Sequence, residues 1–227
     1  MLEEVYVINV NRKREYIQIT QKILETEGLE GIKIRRIAEA AGCTSAVLYK
    51  HFTDLDHLVT LASVKFLENY IREFRRIGSD ISLNPIEANM LLWKIFVKEA
   101  FRYLPFYERV FFGKYKEFLA DTIYEYYVMF PGEMQEMDGF SVSIMFSSDL
   151  SEREYIRLRR AANMGLLSME DARDLSSITV MIFHGMLRER RYDYQEPGVQ
   201  ENAADECYRL IRRATEKFLK EPLKLNN

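Results

Sequence analysis

Cysteine, proline and long apolar runs are scarce in this chain, and each shortage excludes something. The two cysteines among 227 residues, Cys43 and Cys207, are too few and too scattered for a disulfide framework or a zinc site. They fit a reducing compartment, with Cys43 read as a small buried hydrophobe rather than a redox switch. Five prolines and ten glycines interrupt the chain rarely, and Leu, Glu, Lys, Arg, Met and Ala dominate most segments, which predicts an all-α fold. The longest notable uncharged run, Leu175 to Leu187, falls short of the about 20 apolar residues that a membrane span needs. It reads as a helix buried in protein. The N-terminus carries acidic residues where a signal peptide needs positive charge, so the expected location is cytoplasmic, with no membrane partner.

Catalytic signatures are also missing. No HExxH pair, phosphate-binding glycine loop or GxSxG elbow occurs, and no enzymatic activity or cofactor is expected. His51, Asp54, Asp56 and His57 lie close in sequence, but their spacing makes no ligand pair on one helical face, so no metal site is expected. The aspartates suit helix capping instead. Acidic residues outnumber basic ones, 35 to 32, for a net charge of -3. That balance does not advertise nucleic-acid binding, although a local basic face on a dimer is compatible with it.

What the chain does contain is helical punctuation. Residues 1 to about 10 read as a loose arm. A helix is predicted from Asn11 to about Glu27, with Arg12, Lys13 and Arg14 in its first turn as either phosphate contacts or a solvated face. A long helix opened by Asp54 is expected to run to about Arg76. Aromatic-rich helices follow at 85 to 103, 105 to 113 and 114 to 130, and Pro131-Gly132 begins a connection. Ser151 with Glu154 resembles a capping box opening a helix to Met164. Further helices are placed at 168 to 191 and 201 to 220, with His184 of the first as an interface histidine.

The densest pattern is KIRRIAEAAGCTSAVLYKHFTDLDHL, Lys33 to Leu58. Ile34, Ile37, Ala38 and Ala41 recur at i, i+3, i+4 and i+7, one face of a helix. Gly42 stops that helix, and Thr44 or Ser45 can cap the next. The second helix, from Ser45 to Phe52, buries Val47, Leu48 and Phe52 and turns Thr44, Ser45, Ala46, Tyr49, Lys50 and His51 outward. This is a helix-turn-helix arrangement, with an ordinary helical hairpin as the competing reading.

Ile37, Ala38, Ala41, Gly42, Leu48, Tyr49 and Phe52, followed by Leu58, stand at the spacing of the TetR family of transcriptional regulators, which this stretch resembles. The resemblance implies an N-terminal three-helix DNA-binding domain, residues 1–58, joined by a long helix to a C-terminal helical ligand-binding and dimerisation domain, residues 59–227. It implies that Thr44, Ser45, Ala46 and Val47 begin a recognition helix in the major groove, with Tyr49, Lys50 and His51 at its exposed end and Arg35, then Lys33 and Arg36, on phosphate. Two positions depart from the family. Lys33 stands where a capping threonine is common, and Leu55, between two aspartates, stands where a phosphate-binding lysine is common, so weaker non-specific affinity is expected.

The fourteen tyrosines exceed what a dry core wants, because each buried hydroxyl needs a partner. Together with the resemblance they suggest a pocket for a small apolar or aromatic effector, with Trp93, Phe96, Tyr103, Tyr107, Phe111, Tyr124 and Tyr127 as candidate lining. The alternative is plain core. Apolar faces on the last two helices, Ile178, Met181, Ile182, Gly185 and Met186, then Ala203, Cys207, Leu210, Ile211, Ala214 and Phe218, suit a four-helix interface between two copies. The expected whole is a homodimeric repressor of a palindromic DNA operator. An all-α binding protein or enzyme without DNA binding, or a regulator answering to a partner protein, remain the competing readings.

Overall fold

A computed structural model describes residues 2–78, 80, 82–133 and 139–220, with side chains from Asn9 onward. Twelve α-helices and no strand occur among the described residues. They are α1 (Leu2–Glu27), α2 (Ile34–Ala40), α3 (Ser45–Leu48), α4 (Leu55–Ser63), α5 (Glu68–Gly78), α6 (Pro85–Arg102), α7 (Leu104–Phe112), α8 (Leu119–Met129), α9 (Gly139–Met145), α10 (Leu150–Asn163), α11 (Met169–Glu189) and α12 (Val199–Phe218). No described helix is long and apolar enough to cross a membrane.

Helix α1 buries Tyr16, Ile17, Ile23 and Leu24 and packs on α2 and α4. Residues 2–10 are not an arm, since the helix already begins at Leu2. Gly42 takes φ 63° at the α2–α3 turn, where a side chain would meet its own carbonyl. Cys43 N–H then donates to Ala38 O at 2.9 Å, closing α2. Thr44 occupies the start of α3 without making a side-chain cap, and Lys33 likewise starts α2 uncapped.

The long connecting helix is broken. Between α4 and α5, Val64–Leu67 tightens to a 3-10 turn. Thr60 and Ser63 hydroxyls each donate to the carbonyl four residues back, at 2.7 Å, a bond that loosens and bends helices. Phe66 stacks on Phe106 of α7, ring centroids 3.8 Å apart, and so pins the bend to the body.

Helices α6, α10, α11 and α12 pack together as the C-terminal core, with α5 laid against α6. Asp149, not Ser151, caps α10, accepting from Glu152 N–H at 2.9 Å. Glu154 is instead wholly buried and holds three elements together. It accepts from Asn89 at 2.7 Å, from Trp93 Nε1 at 2.8 Å and from Arg157 at 2.6 Å, while Arg157 also reaches the Tyr70 hydroxyl at 3.2 Å. Helix α9 has no counterpart in the sequence-based expectation. The Ser168 start of α11 is as expected, with Ser168 and Asp171 capping each other. On α12, Ala203, Cys207 and Ile211 are buried within the chain, where that helix packs on α6 and α11, so they do not belong to an intermolecular face. Leu210, Ala214 and Phe218 are half-buried.

Candidate nucleic-acid interface

Buried Ile37 and Ala38 of α2 and Leu48 of α3, with Phe52 beyond it, clamp the hairpin and decide which side chains point away. Lys33, Arg35, Thr44, Ala46, Tyr49 and Lys50 are exposed, while Ser45 and Val47 are half-buried. Tyr49 leaves 52% of its surface open. Helix α3 is one turn long, and after Leu48 the chain tightens: Lys50 N–H donates to Val47 O at 3.1 Å and His51 N–H to Leu48 O at 2.9 Å. This tight turn presents Tyr49 and Lys50 side by side.

His51 is not on that face. Its ring packs edge-on against Tyr16, centroids 5.3 Å apart, and is half-buried. Burial, then the charges of Lys13, Arg12 and Lys50, hold its pKa below the usual histidine value. At neutral pH it is an uncharged packing group. Arg36 is also withdrawn, paired with Glu27, whose carboxyl that hydrogen bond lowers against a smaller burial effect. Lys33, Arg35 and Lys50 have no carboxylate partner among the described residues and remain as the cationic groups of the face.

The two aspartates flanking Leu55 are neutralised by the body of the protein. Asp54 accepts His57 N–H at 2.8 Å and pairs with Lys114; Asp56 pairs with Arg109 at 2.6 Å. Burial opposes ionisation of Asp54, but the bonds from Lys114 and His57 N–H outweigh it and hold its pKa low. The negative charge expected beside Leu55 is thus largely compensated.

The basic run at the start of the expected first helix serves a joint that sequence reading missed. Lys13 pairs with Glu125 of α8, and Arg14 Nε donates to Met129 O at 2.5 Å. His57 accepts Thr53 N–H on Nδ1 at 3.3 Å and donates Nε2–H to Glu125 at 3.2 Å. Gln21 donates to Tyr126 OH at 3.2 Å, and that hydroxyl donates to Glu133 at 2.7 Å. A run of like charges marks such residues as polar, but partners 68 to 115 positions away leave no local trace.

The seven candidate lining residues do not share one cavity. Phe96 meets Trp93, Tyr107 and Phe111 edge-on at centroid distances of 5.3 to 5.6 Å, and all four are buried core. Tyr103 packs on Phe66 at 5.4 Å. Tyr124 is 63% exposed. Tyr127 is buried and lines a separate small recess with Glu68, Arg75 and Glu133.

Comparison with known proteins adds to this geometry. No family's sequence profile matches the chain. An HTH-type transcriptional regulator of Staphylococcus aureus is 34% identical over 74 residues, 33% of this chain and 40% of that protein. Another, from a bovine strain of the same species, is 30% identical over 71 residues, 31% of this chain and 38% of that one. The chain thus matches less than half the length of these relatives. A solved TetR-family transcriptional regulator from Mesorhizobium loti superposes with a TM-score of 0.53 at 15% identity, covering 91% of this chain and 96% of that one. The chain therefore has the all-α fold of TetR-family regulators, with an N-terminal helix-turn-helix and a C-terminal helical body.

Proposed function

We propose that this chain is a TetR-family transcriptional regulator: a homodimer whose two helix-turn-helix units, each ending near Leu58, read a palindromic operator, repress, and let go when a small apolar or aromatic effector enters the body. The carrying observation is the face formed by Lys33, Arg35, Thr44, Ala46, Tyr49 and Lys50, exposed on a hairpin held rigid from behind by Leu48 and Phe52. Cations without a carboxylate partner among the described residues suit phosphates, and a hydroxyl and a methyl at the start of α3 suit base edges and thymine methyls.

One turn of helix reads few base pairs, so specificity calls for a second copy related by a two-fold axis. Helix α11 supports that reading. Ile178, Ile182 and Met186 are only half-covered within the chain, Met181 is 65% exposed, and Gly185 beside them is exposed. These positions repeat at i, i+3, i+4, i+7 and i+8, one continuous apolar stripe.

Signal transfer needs a link between body and reading unit. Helix α4 supplies it, because Asp54, Asp56 and His57 at its start are bonded to Lys114, Arg109 and Glu125 of the body. An effector that prefers one arrangement of α5, α7 and α8 shifts α4 and with it the distance between the two heads. The test is a gel-shift assay with DNA flanking the protein's own gene. Tyr49→Ala with Lys50→Ala should weaken binding at least about a hundredfold, because each of the two subunits then forfeits one phosphate bond and one base bond, with dimer mass unchanged. Equal binding by wild type and double variant would remove the assigned face.

A further inference from the structure

An open groove of about 760 Å³ lies between the helix-turn-helix unit and the body, a volume that holds a small organic molecule. The outward face of α7 is its floor, with Pro105, Arg109 and Phe112 at i, i+4 and i+7. One wall is the turn after α1, where Gly28 at φ 67° leads into the 3-10 turn Leu29–Gly31 and brings Leu29 and Glu30 to the groove. Another is the segment after α11, with Tyr192 and Tyr194. Bonds to α7 hold both sides in place. Asp56 of α4 pairs with Arg109 at 2.6 Å, Arg191 Nε donates to Glu108 at 3.0 Å, and Phe112 stacks on His184 of α11 with centroids 3.8 Å apart.

The charges that line the groove do not balance. They comprise four carboxylates, Glu27, Glu30, Asp56 and Glu108, and three cations, Arg109, Lys114 and Arg191. Each cation already has a carboxylate: Arg109 has Asp56, Arg191 has Glu108 and Lys114 has Asp54. Glu27 is paired with Arg36. Glu30 is left, exposed and with no counter-ion among the described residues. An anion entering the groove would have to compete with a bonded carboxylate for every cation, whereas a cation meets a free one. The aromatic side favours the same sign. Tyr192 is 91% exposed, and the electron-rich face of such a ring attracts a cation. Leu29, Pro105 and Phe112, each half-buried, offer apolar surface to the rest of a ligand.

We propose that this groove binds a small organic cation with an aromatic or apolar body, its charge at Glu30 and its body against Phe112 and the Tyr192 ring. A molecule held there touches the reading unit and the body at once, and so ties their spacing directly. The binding site stands on its own; its effect on DNA affinity rests on the regulator reading.

The experiment titrates the full-length protein, without DNA and at pH 7, with tryptamine and with phenylalkylamines from benzylamine to 4-phenylbutylamine, each against its matching alcohol, by isothermal titration calorimetry. At least one amine should saturate and bind about threefold or more tightly than its alcohol, the worth of an exposed ion pair with a cation–π contact. Glu30→Gln should bring the amine down to the level of the alcohol, and Tyr192→Ala should weaken it severalfold. Both are surface side chains, so both variants should fold. Amide exchange at saturation should slow on both sides of the groove, at 27–30 and at 104–113. No saturation by any amine, equal affinity for amine and alcohol, an affinity unchanged in either variant, or slowed exchange on one side alone would overturn the proposal. Amine binding by a protein that binds no DNA would keep the groove and remove the regulator reading.

Discussion

Glu154 shows what a single residue can hide. In the sequence, Ser151 and Glu154 stand three apart before an apolar run, the spacing of a capping box. A buried carboxylate bonded to an arginine one turn later has that same local spacing. What separates the two is Asn89 and Trp93, 65 and 61 positions away, and no local pattern reports them. The structure makes Glu154 the node joining α6 and α10, and through Arg157 and Tyr70 to α5. Replacing one member of such a buried pair strands the other's charge. Glu154→Gln should cost about 3 kcal/mol or more, read as a lower urea midpoint with an unchanged m-value. A midpoint within error of wild type would mean the node carries no stability. The residues of the hairpin were legible for the opposite reason: buried Ile37, Ala38 and Leu48 and the turn at Gly42 lie within a dozen positions, so composition and spacing suffice. His51 was misplaced because exposure at a helix end depends on whether a neighbouring element, here Tyr16 of α1, comes to cover it.

At the scale of elements, starts and stops were largely readable because caps are local. Asp54 and Ser168 each cap as their positions suggest. The break between α4 and α5 was not, since each half is helical by propensity and the 3-10 turn comes from hydroxyl back-bonding and from Phe66 meeting Phe106. The joint between α1, α4 and α8 is likewise a product of assembly. Burial alone would raise the Glu125 pKa, but the bonds from His57 and Lys13 outweigh it and leave it lowered from 4.5. A carboxylate with a depressed folded-state pKa contributes stability that is complete above its unfolded value and is lost as pH falls through the folded one. The contribution of this joint should therefore hold above about pH 4.5 and vanish below it. Glu125→Gln should flatten the acid limb of a Tm-against-pH curve and speed amide exchange in α1 around Lys13. An acid limb identical to wild type would show that Glu125 does not couple α8 to the reading unit.

The whole molecule combines a helix-turn-helix closed by Leu48 and Phe52, three polar links at the start of α4, and an apolar stripe on α11 that the chain itself leaves half-covered. On the proposed reading, Lys33, Arg35 and Lys50 are few phosphate-binding cations for one subunit, and two copies would bring about six. Such a number predicts a slope of log K against log salt of about −5, and Lys50→Ala, which removes one phosphate bond from each subunit, should reduce it by about two. An unchanged slope would place Lys50 off the backbone. The central claim, that two copies of this chain read DNA together through α3, is tested most directly by enriching a random pool of duplex DNA on the purified protein and sequencing the bound fraction. The account predicts a two-fold symmetric site with half-sites about one helical turn or a multiple apart, bound by two chains and lost with Tyr49→Ala and Lys50→Ala. Enrichment of no sequence, or of a single asymmetric site bound by one chain, would contradict it.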